Sequence, residues 1–113
     1  MTTSSLMFEV TLVGTGSVEI AAFGIADAEA SVEKEIRALL PGAAIRVHEV
    51  RRALPAPRIV ETFEVSYSLR HRLSLEEPSE EVARRTAFRM GRVALEGSRF
   101  GRTVWESADV SRR

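Results

Sequence analysis

The sequence predicts an α+β domain built from two similar strand–helix–strand halves. Three observations predict it. Apolar and polar residues alternate near the start of the chain and again over 59–69, the period of half-buried strands. Residues 28–40 and 79–95 carry the wider apolar spacing of amphipathic helices. Phe8-Glu9-Val10 recurs as Phe63-Glu64-Val65, each copy followed by strand residues, one helix and one strand.

Phe8, Val10 and Leu12 share one face of the first strand, with Glu9 and Thr11 opposite. Gly14-Thr15-Gly16-Ser17 has the backbone freedom for a reversal, and Val18-Glu19-Ile20 resumes the alternation. Residues 6–25 therefore read as a β-hairpin, or as one long strand bulged at the glycines. Asp27 is expected to cap the first helix, with Glu29 in its positive first turn. Ala28, Val32, Ile36 and Leu39 form the apolar stripe, Glu33 and Arg37 stand at i,i+4, and Pro41-Gly42 ends the helix.

Ala44–Arg51 follows as a strand with Ile45 and Val47 inward, and residues 53–58 connect the halves. Ile59, Phe63, Val65, Tyr67 and Leu69 line one face of the next strand. Glu61 alone interrupts that face, and is expected to be exposed or paired to an arginine. Arg70-His71-Arg72 suggests a turn before Leu73 and Leu75 restart the alternation. Glu77-Pro78-Ser79-Glu80-Glu81 is a helix start, with Ser79 as cap and acids at the positive dipole end. This second helix should run to about Leu95 and end by Gly97, burying Val82, Ala83, Thr86, Ala87, Met90, Val93 and Ala94. Thr103–Val110 is the last strand, and Ser111-Arg112-Arg113 a frayed tail.

This order of elements suits a ferredoxin-like sandwich, an antiparallel-dominated sheet with both helices on one face. It forms a single domain over residues 1–113, with halves 6–52 and 59–110. The fold label is an analogy and implies no activity.

At 113 residues and 44% apolar content the chain can bury a core without metal or disulfide support. The absence of cysteine removes thiolate chemistry and cysteine-held metal sites together. With no leader-like N-terminus and no apolar run of membrane-spanning length, the expected location is cytoplasmic. Gly14-Thr15-Gly16 lacks the third glycine of a dinucleotide loop, and Arg52 stands where a zinc-protease helix beginning at His48 needs its second histidine. Gly97-Ser98-Arg99-Phe100-Gly101 does not place serine midway between its glycines, as a nucleophile elbow requires. No catalytic residue, cofactor or metal is assigned.

Charge is uneven although 16 basic and 16 acidic residues cancel. Residues 82–113 carry eight arginines against Glu96, Glu106 and Asp109. On the second helix Arg85, Arg89 and Arg92 form an outer stripe, with Phe88 and Leu95 between it and the core face. An apolar centre with a basic rim is the make-up of an interaction patch. The reading is a non-enzymatic association domain, a homodimer or the subunit of an assembly, with these five residues at its interface. The alternative is nucleic-acid binding, with Arg85, Arg89, Arg92, Arg99 and Arg102 on phosphates and Trp105 or Phe100 stacking on a base. A third reading is a small enzyme or ligand binder with a pocket near His48 and Glu61.

Overall fold

Six elements follow one another in the computed structural model, which describes residues 5–53 and 59–113. They are β1 (Leu6–Ala22), α1 (Ile25–Leu39), β2 (Ala44–Arg52), β3 (Glu61–Glu77), α2 (Glu80–Leu95) and β4 (Val104–Arg112). The strands form one antiparallel sheet in the order β2-β3-β1-β4. This is an α+β fold. The prolines of the predicted connector and the first four residues lie outside the described residues.

The first alternation is one strand of 17 residues, the second of the two expected forms, with the register against β4 shifting at Val13/Gly14, and it is not a hairpin. β1 pairs with β3 without a break from Leu6↔Glu77 to Ala22↔Glu61. Gly14 and Gly16 serve side-chain packing there. A Cβ on Gly14 would lie 2.9 Å from Cε3 of Trp105, and one on Gly16 would strike the Tyr67 hydroxyl. The turn expected at Arg70-His71-Arg72 is likewise absent, because Arg70 and Arg72 point away from the helices while His71 keeps the inward phase of Leu69 and Leu73. Strands of this length span about 56 Å at 3.3 Å per residue, and the molecule is a rod of 68 × 22 × 20 Å.

Both helices cover the same face of the sheet. Even-numbered residues of β1 share that face: Val18, Ile20 and Ala22 cluster with Ala28, Val32 and Ile36 of α1. Phe8, Val10 and Leu12 cluster with Ala83 and Ala87 of α2, and with Ala108 of β4. Asp27 is not the N-cap of α1; Gly24 holds that position. Asp27 sits in the first turn and its Oδ2 accepts a hydrogen bond from the Phe23 amide at 2.9 Å, so it still satisfies a backbone donor near the positive end of the helix. Ser79 caps α2 as expected, its Oγ accepting from the Val82 amide at 3.3 Å. Gly97 follows α2 at φ +78°, the left-handed conformation that suits glycine after a helix.

The buried face of α2 differs from expectation. Ala83, Ala87, Gly91 and Leu95 are buried, whereas Met90 and Val93 are exposed. The cause is Trp105, whose ring occupies the space beneath residue 91. The C-terminus is not frayed either: Ser111 and Arg112 belong to β4, and the Arg113 amide donates to the Met7 carbonyl at 3.0 Å.

Candidate association surface

The two outer strands are shorter than the inner ones and set at opposite ends. β2 covers β3 only from Phe63 to Arg70, and β4 covers β1 only from Phe8 to Thr15. Seven residues of β3, His71–Glu77, therefore have an outer edge with no partner strand among the described residues. The corresponding stretch of β1, Gly16–Ala22, is open in the same way. Unpaired backbone donors and acceptors on such edges are templates for another strand.

The β3 edge is apolar on one face. Leu73 and Leu75 face α2 and pack against the Phe8, Val10 and Leu12 cluster, yet both remain partly exposed. Phe8, Val10 and Leu12, one strand further in, are at most 4% exposed. His71 and Leu73 also floor a cleft of about 170 Å³ walled by Leu39, Pro41, Met90 and Ala94. Burial pushes the His71 imidazole below its ordinary pKa, and its Nδ1 has no hydrogen-bond partner among the described residues.

The predicted interface is only partly on the surface. Leu95 is 1% exposed, packed into the core with Phe100, so it is not part of an outer edge. Phe88 is half-buried against the cluster beneath α2. The expected core face ran through Met90 and Val93 and left Leu95 outside; with Trp105 beneath Gly91 the buried face keeps Ala83 and Ala87 but turns to Gly91 and Leu95. Arg85, Arg89 and Arg92 are exposed as expected. The i,i+4 pair Glu33–Arg37 forms at 3.8 Å, and on α2 Arg84 pairs in the same way with Glu80 at 3.2 Å.

The aromatic half of the nucleic-acid constellation is not available at the surface. Phe100 is buried edge-on to Tyr67, with ring centroids 5.7 Å apart, and Trp105 lies half-buried between β1 and α2. Arg99 and Arg102 are both exposed, and Arg99 pairs with Glu35 at 3.4 Å.

The uncovered face of the sheet carries a polar row. Bulges put one extra residue in β2, at His48, and one in β4, at Glu106. The His48 Nε2 and Ser68 Oγ are 2.8 Å apart, Thr15 stands opposite Ser68, and the Thr15 hydroxyl donates to the Glu106 carboxylate at 3.0 Å. Beside this row Arg46, His48, Ser68 and Arg70 line an open cleft of about 540 Å³. The sequence reading placed a pocket near His48 and Glu61; only His48 reaches this one. Glu61 is bound to Arg52 at 2.7 Å, the pairing expected for a carboxylate at the start of the strand. A serine–histidine contact is the beginning of a nucleophile site, but among the described residues His48 has no hydrogen-bond partner besides Ser68 to orient its ring.

Among the described residues no cluster of three or more histidine, aspartate or glutamate side chains is arranged to hold a metal ion. No described helix is long and apolar enough to cross a membrane. Comparison with protein-family models, curated proteins and solved structures finds no significant match. The functional reading therefore rests on the molecule's own surfaces.

Proposed function

We propose that this chain is a non-enzymatic association domain that works by pairing with another copy of itself. The observation that carries the proposal is the open edge of β3 at His71–Glu77, half apolar and continuous with the core. The interface so proposed replaces the Phe88–Leu95 edge. Sedimentation tests it: the protein should be a dimer in the tens-of-micromolar range, and a monomer at about 500 μM would overturn it.

A ferredoxin-like sandwich made of two related halves is part of the same proposal. Its support is the strand order and the matched lengths: β1 and β3 have 17 residues each, and β2 and β4 have 9 each. The starts of β1 and β3, like those of α1 and α2, stand 55 residues apart. The open edges of β1 and β3 are equivalent in such a scheme.

A second reading, ligand binding, is favoured by the cleft at Arg46, His48, Ser68 and Arg70. Arg51 and Arg72, which share its face of the sheet, have Glu64 and Glu9 as partners. Neither Arg46 nor Arg70 makes an ion pair among the described residues, which suits a small oxyanion. Inorganic phosphate should shift the amide resonances of these four residues, and the shift should vanish in Arg46→Ala. Unmoved resonances at about 20 mM phosphate would remove this reading. Phosphate contacts through Arg85, Arg89 and Arg92 remain the nucleic-acid alternative, recognised by steeply salt-dependent binding of an oligonucleotide.

A further inference from the structure

We infer that two copies of this chain join through their β3 edges, antiparallel and centred on Ser74, so that one sheet of eight strands runs through the dimer. The inference rests on the association reading and adds to it the register and the pairs that select it.

The argument begins with the edge sequence, His71-Arg72-Leu73-Ser74-Leu75-Glu76-Glu77. In an antiparallel pair about a two-fold axis at Ser74, residues equally distant from Ser74 on opposite sides face each other. Arg72 then meets the partner's Glu76, and Glu76 meets the partner's Arg72. Leu73 meets the partner's Leu75, and the reverse. His71 meets the partner's Glu77 at each end. Every pair is complementary, and the symmetry produces each twice.

The faces agree as well. Strand alternation puts Leu73 and Leu75 on the helix side, where they already pack on the core, and Arg72 and Glu76 on the open side. The leucine pairs would therefore extend the buried cluster across the seam, while the ion pairs lie on the exposed surface. Neither charged group is held tightly among the described residues. Arg72 reaches Glu9 only at 3.9 Å with its side chain 76% exposed, and Glu76 makes no ion pair among the described residues. The apolar cleft over His71 and Leu73 opens beside the same edge.

The β1 edge does not offer this match. Its central residue is Glu19, which a two-fold pairing of Gly16–Ala22 would set against the partner's Glu19. Like charges directly opposite destabilise a strand pair, so this edge resists self-association. Pairing of the β1 edge with a β3 edge would be head-to-tail and would continue into a ring or a filament. A seven-residue edge is a small interface, and its backbone hydrogen bonds are common to any register. Selection falls to the side-chain pairs.

Charge exchange tests the register directly. Arg72→Glu and Glu76→Arg should each raise the dimer dissociation constant about tenfold, because each sets like charges opposite one another twice. An equimolar mixture of the two variants should form a heterodimer, and the double variant R72E/E76R should recover the homodimer. The chain has no cysteine. Ser74→Cys should therefore oxidise to a disulfide-linked dimer, since antiparallel pairs bring Cα atoms within about 4.5–5.5 Å, inside disulfide range. A wild-type dimer whose dissociation constant is unmoved by both single variants would overturn this register and leave self-association standing. A monomeric wild type would overturn both. Species of steadily growing mass would replace the closed dimer with the head-to-tail arrangement.

Discussion

Gly91 of α2 lies so close to Trp105 of β4 that a Cβ on residue 91 would stand 2.9 Å from Cζ2 of the indole. The same ring is 2.9 Å from the position a Cβ would take on Gly14 of β1. The indole is thus a spacer between helix and sheet, and two missing side chains make room for it. Alanine at an exposed helix position usually gains about 1 kcal/mol over glycine, but overpacking a fitted core costs about 1–3 kcal/mol. Gly91→Ala should therefore lower stability by about 1–2 kcal/mol in urea melts. In a Trp105→Leu background the same change should cost nothing, a departure from additivity that marks the contact. A stabilised Gly91→Ala protein would show that the ring yields freely.

Tyr67 supplies an alkaline signature. Its hydroxyl is 2.6 Å from Thr103 Oγ1, whose own proton goes to the Phe100 carbonyl at 2.7 Å, so Tyr67 donates. Burial pushes the phenol above its ordinary value of 10.0. The unfolded chain then loses this proton first as pH rises. Its contribution to stability is complete below about pH 10 and is lost as pH climbs through the native value. Tyr67→Phe should cost about 1 kcal/mol at pH 7 and flatten the alkaline loss. Parallel stability curves for the two proteins above pH 10 would contradict this account.

His71 acts on the acid side. Its pKa lies below 6.5 in the folded chain because burial disfavours the imidazolium. The unfolded chain binds the proton more readily, so stability is complete above about pH 6.5 and declines as pH falls through the native value. Leucine at this position removes a buried nitrogen that has no partner among the described residues. His71→Leu should be at least as stable as the parent at pH 7 and lose less between pH 6 and pH 4, as followed by thermal melts across that range. An unchanged acid slope would place the titrating group elsewhere.

The strands and helices were legible in the sequence wherever the pattern was local. Phe63, Val65, Tyr67 and Leu69 alternate and are buried, and Ser79 and Gly97 bracket α2. What misled were residues whose reason is distant. Gly14-Thr15-Gly16 looks like a reversal until Trp105 and Tyr67 are placed over the glycines. Arg70-His71-Arg72 looks like a turn because its one inward residue is a histidine. Met90 and Val93 look like core until the indole claims the space under Gly91. The open edge is harder still to read, since it depends on where β2 stops along β3. The complementarity of residues 71–77 is written in the sequence, but it has meaning only once those residues form an unpaired strand.

Amide hydrogen exchange at two protein concentrations tests the association edge most directly. Outward-facing amides of His71–Glu77 should exchange about tenfold more slowly at about 500 μM than at about 5 μM, as dimerisation covers them. Those of Ser17–Ala22, on the open edge of β1, should exchange at the same rate at both concentrations. Equal exchange of the His71–Glu77 amides at the two concentrations would contradict association through β3.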